Sequence, residues 1–342
     1  MSSVAVPPEK TLTPERLAQL RRTLPPEAFQ PDARKFVAML LLGAVVLGAH
    51  AAVARTGWSW WLPVLALGAA AALSSLAFAT HELAHGAILP PGLVRRCAEL
   101  FFWGLIFISP TLWRRVHNQT HHAHANTLHD PDRPLHAGED RAGTRWYVWI
   151  FYPHAELFPW NPLVFCHFIS YILRNTVVAF VPARWRPGIV PQRPDYTRTD
   201  LLRIAGELLC IAVLHAGLFL LSGARVGPFL AFAAGTQAAT SGVAMTYIFT
   251  NHFLNPLADE ADPVRGSTSV IVPRWLDRLH WHFSYHTEHH VFPTLNSDYA
   301  PLLAAQLEKA FPGEYQRIPL AEAWRRLWRR ASFEPRPVQT TS

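Results

Sequence analysis

The sequence predicts an all-α integral membrane protein: four transmembrane helices in two hairpins, with a cytoplasmic helical cap that gathers histidines around metal. Three observations point there. Four apolar runs are each about 20 residues long, enough to cross a bilayer. Three clusters of closely spaced histidines sit outside those runs, and basic residues crowd onto the segments that four crossings leave on one side. Half of the 342 residues are hydrophobic, yet mean hydropathy is only slightly positive, as expected of spans that carry a substantial water-facing cap. The net charge of +7 comes from Arg far more than from Lys. No recognition motif accompanies it, so it reads as positive-inside bias and not as a nucleic-acid surface. Cys97, Cys166 and Cys210 are scattered and form no CxxC pair, which argues against a disulfide framework or a redox motif.

Taken in order, residues 1–35 mix acidic and basic groups without the apolar core of a signal peptide, and are expected to form a solvated cytosolic arm. Within the arm, Thr13-Pro14-Glu15 reads as a helix start, with Thr as N-cap and Pro at the first helical position, leading to Arg22. A membrane domain is expected over residues 36–301. Its first spans, 36–54 and 60–79, are joined by a tight turn, and each is long enough at 1.5 Å per residue to cross a hydrocarbon layer of about 30 Å. Leu100 to Ser109 is apolar but makes only about 15 Å of helix, so it is predicted to re-enter or lie at the interface. The aromatic-rich stretch from Trp146 to Val181 is broken by prolines, Arg174 and Asn175, which predicts helices along the interface. Two further spans, 204–221 and 228–249, flank a short turn. Glu207 and His215 are ionisable groups inside the third span and stay outside the expected ligand set. A soluble tail, 302–342, follows; its segment Leu320 to Arg330 is basic and amphipathic, suited to an anionic membrane surface or to packing as a cap. The two outer turns hold one Arg each. The arm, the region from His81 to Asp200 and the C-terminal region hold six, twelve and ten basic residues, which puts every histidine cluster on the cytoplasmic side.

The histidines carry the chemistry. In HWHFSYHTEHHVFP, residues 280–293, His286, His289 and His290 fall in one wedge of a helix turning 100° per residue, and His282 shares that face. HELAH sets His81 and His85 one turn apart at the end of the second span. In HNQTHH, helical geometry puts His117, His121 and His124 on one face and His122 about 140° from His117, so either His122 or His124 could join the set. Imidazole suits iron, zinc, copper or nickel, and the lack of nearby cysteine argues against a structural zinc. Three clusters supply more nitrogens than one metal needs, and a two-metal centre follows. Glu82 and Glu288 could fix ring tautomers. His129, His136 and His154 read as exposed loop histidines.

The order HxxxH, HxxxHH, HxxHH with hydrophobic spans between, from about Phe36 to Pro301, resembles the membrane-bound fatty acid desaturase family, the histidine-box di-iron desaturases and hydroxylases. The ending YHTEHHVFP is close to the form seen in acyl-chain desaturases. The resemblance implies two non-haem iron ions held by His81, His85, His117, His121, His122, His286, His289 and His290. By the same analogy His252, at the end of the fourth span, completes the set. It selects His122 over His124, and leaves Glu82, His124, Asn251, His282 and Glu288 as residues that would support the ligands. No catalytic residue beyond the ligands is implied.

The implied activity is O2-dependent desaturation of the acyl chain of a fatty acid or lipid. No HPGG-type haem signature occurs in the sequence, so electrons are expected from an external carrier such as ferredoxin or cytochrome b5 with its reductase. The same boxes serve hydroxylases and ketolases of acyl, sphingolipid or carotenoid substrates. A metal transporter is the rival from another class, but transporter sites lie near the bilayer midplane, whereas these clusters lie outside the spans.

Overall fold

The computed structural model describes residues 11–133, 135, 144–156, 161–185 and 190–329; His136 and Arg330 lie outside them. The chain is mostly helical. α1 (Pro14–Arg22) starts as predicted, with the Thr13 hydroxyl accepting from the Arg16 amide at 3.3 Å. α2 (Arg34–Thr56) and α3 (Trp61–His85) are long, and Gly57, at φ +54, closes α2 in a conformation that favours glycine. α4 (Leu93–Gly104) and α5 (Pro110–Trp113) lead into a π-helix, Arg114–His121, and a last turn, α6 (His122–His124). α7 (Thr144–Phe151) is followed by a 3-10 turn, Pro162–Cys166, that runs into α8 (His167–Phe180). α9 (Arg198–Leu221) and α10 (Val226–His252) are again long. The remainder is short elements: α11 (Pro263–Gly266), β1 (Ser269–Ile271), α12 (Arg274–Leu279), α13 (His286–Val291), α14 (Ala300–Ala310), β2 (Arg317–Pro319) and α15 (Leu320–Trp328). β1 and β2 pair in parallel with Val270 opposite Ile318.

Four helices run between the same two layers. At one end the turn after α2 meets the turn after α9: a Cβ on Gly223 would lie 3.1 Å from that of Ala54, and one on Gly57 would lie 2.5 Å from the Arg225 guanidinium. At the other end, Lys35 at the start of α2 pairs with Glu82 near the end of α3 at 2.7 Å. There too Asp200 at the start of α9 pairs with Arg115 of the π-helix at 2.6 Å, and His252 closes α10. Helices of 23 to 27 residues reach about 35–40 Å. Leu40, Leu41, Val45, Leu67, Leu209 and Val213 stand exposed on them, the side chains of a surface that faces lipid.

Length and apolarity together select Arg34–Thr56, Trp61–His85, Arg198–Leu221 and Pro162–Phe180 as able to cross a membrane, and leave out α10. This departs from the sequence expectation, which placed the fourth span at 228–249 and laid the aromatic stretch along the interface. The cause is where the polar groups of α10 go. Thr236, Thr240 and Ser241 are buried against protein, Gln237 donates to the Leu105 carbonyl at 2.8 Å, and Ser241 donates to that of Phe165 at 2.6 Å. A helix surrounded by protein can carry such residues at the depth of a membrane. α8, for its part, buries Arg174 and Asn175, and Arg174 lines the same cavity as several box histidines, so α8 reaches the histidine layer.

The segment running from α4 to Ile108 is wedged between α9 and α10, so this second pair parts after its turn: α9 lies on α2, α4 and α5, and α10 lies on α3. The wedge ends in carbonyls that need donors. His215 Nε2 meets the Gly104 carbonyl at 3.0 Å, Gln237 serves Leu105, and the Phe107 ring stacks on His215 with centroids 3.8 Å apart. Glu207 accepts from Ser109 Oγ at 2.5 Å, Thr111 N at 2.9 Å and Thr111 Oγ1 at 2.7 Å, capping α5. Glu207 and His215 thus both hold the segment that links α4 to α5. Beyond the spans one expectation is revised and one open alternative is resolved. The arm is docked, with Leu12, Leu20, Leu24 and Ala28 packed against Leu303, Leu307 and Phe311 of the tail. α15 turns its aromatic face inward, Trp324 donating to the Thr246 carbonyl at 3.0 Å, so packing wins over the membrane surface.

Candidate metal centre

The nine predicted histidines meet in two adjoining nests. One holds His81, His85, His117, His122 and His289; the other holds His121, His252, His286 and His290; within each, one ring nitrogen per residue lies within 4.8 Å of all the others. The nests share a wall where the rings of His122 and His290 lie 4.6 Å apart. Each nest draws on distant segments: the end of α3, the π-helix with α6, the end of α10, and α13.

The π-helix explains which histidine of the second box enters. The His122 amide bonds to the carbonyl of His117, five residues back. Such a ladder turns the chain by roughly 80° per residue and returns His122 to within about 50° of His117, which a 100° wheel had set on the far side. His124 is exposed and, among the described residues, its ring meets no other ring than that of His129. His282 is excluded by a different cause: the chain is not helical there. Trp281 and His282 both have positive φ, and His282 bonds Asp277 at 2.8 Å.

The nitrogens face one another in an arrangement that calls for a cation. His252 Nδ1 lies 3.4 Å from the Gly266 carbonyl, which can only accept. The Asn251 amide is satisfied when its nitrogen donates to the carbonyls of Tyr247 (3.1 Å) and Thr268 (3.3 Å), and its oxygen then accepts from His286 Nδ1 at 3.1 Å. Both rings therefore carry their proton on Nδ1, and the two Nε2 lone pairs confront each other at 2.7 Å. His85 Nε2 is buried without a hydrogen-bond partner. Two opposed lone pairs and an orphaned nitrogen fit metal ligation, and an all-imidazole donor set suits iron, copper, zinc or nickel.

Charge states agree with ligation by neutral rings. Burial drives His117, His122, His286, His289 and His290 well below the usual histidine range, and their neighbours push the same way. His121 is the exception. Burial opposes its charged form, but the charge and hydrogen bond of Asp130 outweigh burial and raise it.

Asp130 and Asp132 are the site residues that sequence reasoning missed, because Asp-Pro-Asp is common turn chemistry. Asp130 is buried, accepts from His121 Nδ1 at 2.8 Å and is pinned by the amides of Asn126 (2.7 Å) and Asp132 (2.8 Å). Asp132 lies 3.3 Å from His117 Nδ1, and burial pushes its carboxyl up to about 6. Carboxylates that hold the outer nitrogen of a metal-binding imidazole fix its tautomer and raise its basicity. A box histidine followed nine residues later by Asp-Pro-Asp was the signal available. The carboxylates favoured from sequence do other work. Glu82 accepts from Lys35 and from Ser297 Oγ at 2.9 Å; Glu288 accepts from Ser269 at 2.6 Å and from Tyr315. Among the described residues neither bonds to an imidazole.

A narrow cavity of about 60 Å³ touches both nests through His81, His117, His121, His252 and His286. Its other walls include Trp113, Phe168, Met245, Ile248 and Phe283, together with Tyr171 and Arg174. An apolar slot thus opens on two imidazole nests, at the end of a bundle long enough to cross a membrane. The chain matches the fatty acid desaturase family over residues 56–320 and belongs to that family. No curated protein matches it.

Proposed function

We propose that the protein desaturates the acyl chain of a fatty acid or lipid with O2 at a non-haem di-iron centre. The observation that carries this reading is the slot: it is apolar, narrow and in contact with both nests, so a methylene chain lying in it presents its C–H bonds at a fixed place. The balance is two substrate hydrogens, O2, two electrons and two protons giving one C=C bond and two waters. His81, His85, His117, His122 and His289 would hold one iron and His121, His252, His286 and His290 the other. Bound there, the irons would supply reductive activation of O2. The residues of this chain do the rest: Asp130, Asp132, Asn251 and Gly266 hold the rings in register, and Trp113, Phe168, Ile248 and Phe283 exclude water and hold the chain straight. Electrons come from a separate carrier, ferredoxin or cytochrome b5 with its reductase.

The test is expression in a host lacking its own desaturase, together with a reductase and small electron carrier, followed by mass spectrometry of the lipids. New unsaturated acyl chains are expected, and they should vanish on His121→Ala or His289→Ala substitution. Hydroxylated chains or oxidised carotenoids, formed by the wild type and lost in the same variants, would replace desaturation with hydroxylation or ketolation.

The proposed topology has α2, α3, α9 and α10 crossing the bilayer as two out-and-back pairs within a membrane domain of residues 36–301, with the arm, tail and both nests in the cytoplasm. The shared layers at the two ends of these helices and the basic residues of the inner segments support it. Cysteines placed at Trp58 and Val226 should react with an impermeant reagent from outside, and one at Leu128 only after permeabilisation. External labelling at Leu128 would overturn the arrangement.

A further inference from the structure

We propose that a second site, the basic pocket between α4, α5 and α9, binds the phosphate of an anionic membrane lipid. The pocket holds about 400 Å³ and is lined by Arg96, Arg114, Arg115 and Arg203 together with Asp200 and Glu207. That volume is within the range of small-molecule sites. None of the nine nest histidines lines it, and the inference does not depend on the reaction proposed above.

The charge is only partly compensated. Asp200 is taken up by Arg115 at 2.6 Å and by the amide and hydroxyl of Thr197, whose capping it completes. Glu207 is taken up by Ser109 and Thr111. Among the described residues Arg114 has only Glu99, at 3.5 Å, and Glu99 is already bonded to Arg95 at 2.7 Å. Arg96 and Arg203 form no ion pair among the described residues, and both are exposed. Guanidinium forks match phosphate oxygens two at a time, which is why a cluster of arginines selects phosphate over a simple carboxylate.

The surroundings decide for a lipid. Arg203 and Glu207 sit on the first turns of α9, and the neighbouring Leu202, Leu209 and Val213 of the same helix are exposed. Leu100 and Pro110 supply an apolar floor to the pocket. A phosphodiester headgroup placed among the arginines leaves its acyl chains lying along that leucine face. A free phosphate would use only the polar half. Basic pockets at the cytoplasmic ends of membrane helices have this chemistry. Arg114 and Arg115 also open the π-helix that carries His117, His121 and His122, so an occupied pocket would brace the segment supplying three nest histidines.

The test uses the full chain in phosphatidylcholine nanodiscs, with phosphatidylglycerol added in steps. Native mass spectrometry reads the lipid retained, and thermal unfolding reads the brace. Wild type should retain phosphatidylglycerol in preference to phosphatidylcholine and melt higher with it. Arg96→Gln and Arg203→Gln, at exposed positions without ion partners, should each weaken retention by about tenfold. Arg274→Gln, which removes an equal charge from the cap, should change nothing. Equal retention of both lipids, or Gln variants that behave as wild type, would overturn the proposal. So would an equal rise in melting temperature with inorganic phosphate alone, which would make the ligand a soluble anion.

Discussion

Two sets of buried or half-buried polar residues lie in this protein, and the difference between them separates structure from chemistry. In the spans, His50 Nδ1 meets Ser222 Oγ at 2.9 Å, His215 meets the Gly104 carbonyl, and Glu207 meets the hydroxyls and amide that open α5. Each of these contacts pairs a donor with an acceptor. In the nests, the outer nitrogens of His121, His252 and His286 are committed to acceptors, and the inner ones converge on other imidazole nitrogens. Histidine is common to the two sets. What differs is the hydrogen-bond accounting, which closes in the spans and leaves lone pairs facing lone pairs in the nests.

The largest effect that would break this contrast is at His286. His286→Ala should abolish product and reduce bound iron, which is expected at about two per chain when nine nitrogens are shared between two metals. Elemental analysis of the purified protein checks both numbers, and a wild type holding one zinc and no iron would remove the di-iron reading. A smaller loss is expected at Asp130, whose carboxylate holds His121 from outside. Asp130→Asn should lower iron affinity by about 10–100-fold while the protein remains folded, measured by competition with a chelator. The smallest effect falls on the other set. His215→Leu should leave iron content unchanged and cost about 1–3 kcal/mol of stability, because the Gly104 carbonyl is left in an apolar surrounding without a donor. Metal loss in His215→Leu would mean that the two sets are not independent.

Much of this arrangement was legible in the sequence because it rests on composition and short-range spacing. The spans α2, α3 and α9, the shortness of the Leu100 to Ser109 segment, and the three boxes all follow from apolar length and histidine density. The misreadings share one cause, which is that local geometry was assumed to be regular. A uniform α-helical wheel could not seat His122, because the second box is a π-helix. It wrongly set His282 beside His286, because the chain turns sharply at Trp281. Asp130 and Asp132 looked like turn formers since nothing local shows that the turn folds back under its own box. The docking of the arm on the tail joins residues as much as 303 positions apart, as in the bond from Thr11 to Glu314 at 3.0 Å, and no periodicity within either segment encodes it.

The two nests also differ in when their parts are made. Of the five nitrogens in the first, four come from His81, His85, His117 and His122, all synthesised before α9 begins; only His289 comes late. The second nest takes one early residue, His121, and waits for His252, His286 and His290. A half-finished chain emerging from the ribosome thus already carries most of one site and almost none of the other, so a lone metal could be captured during synthesis, whereas the pair requires a completed polypeptide.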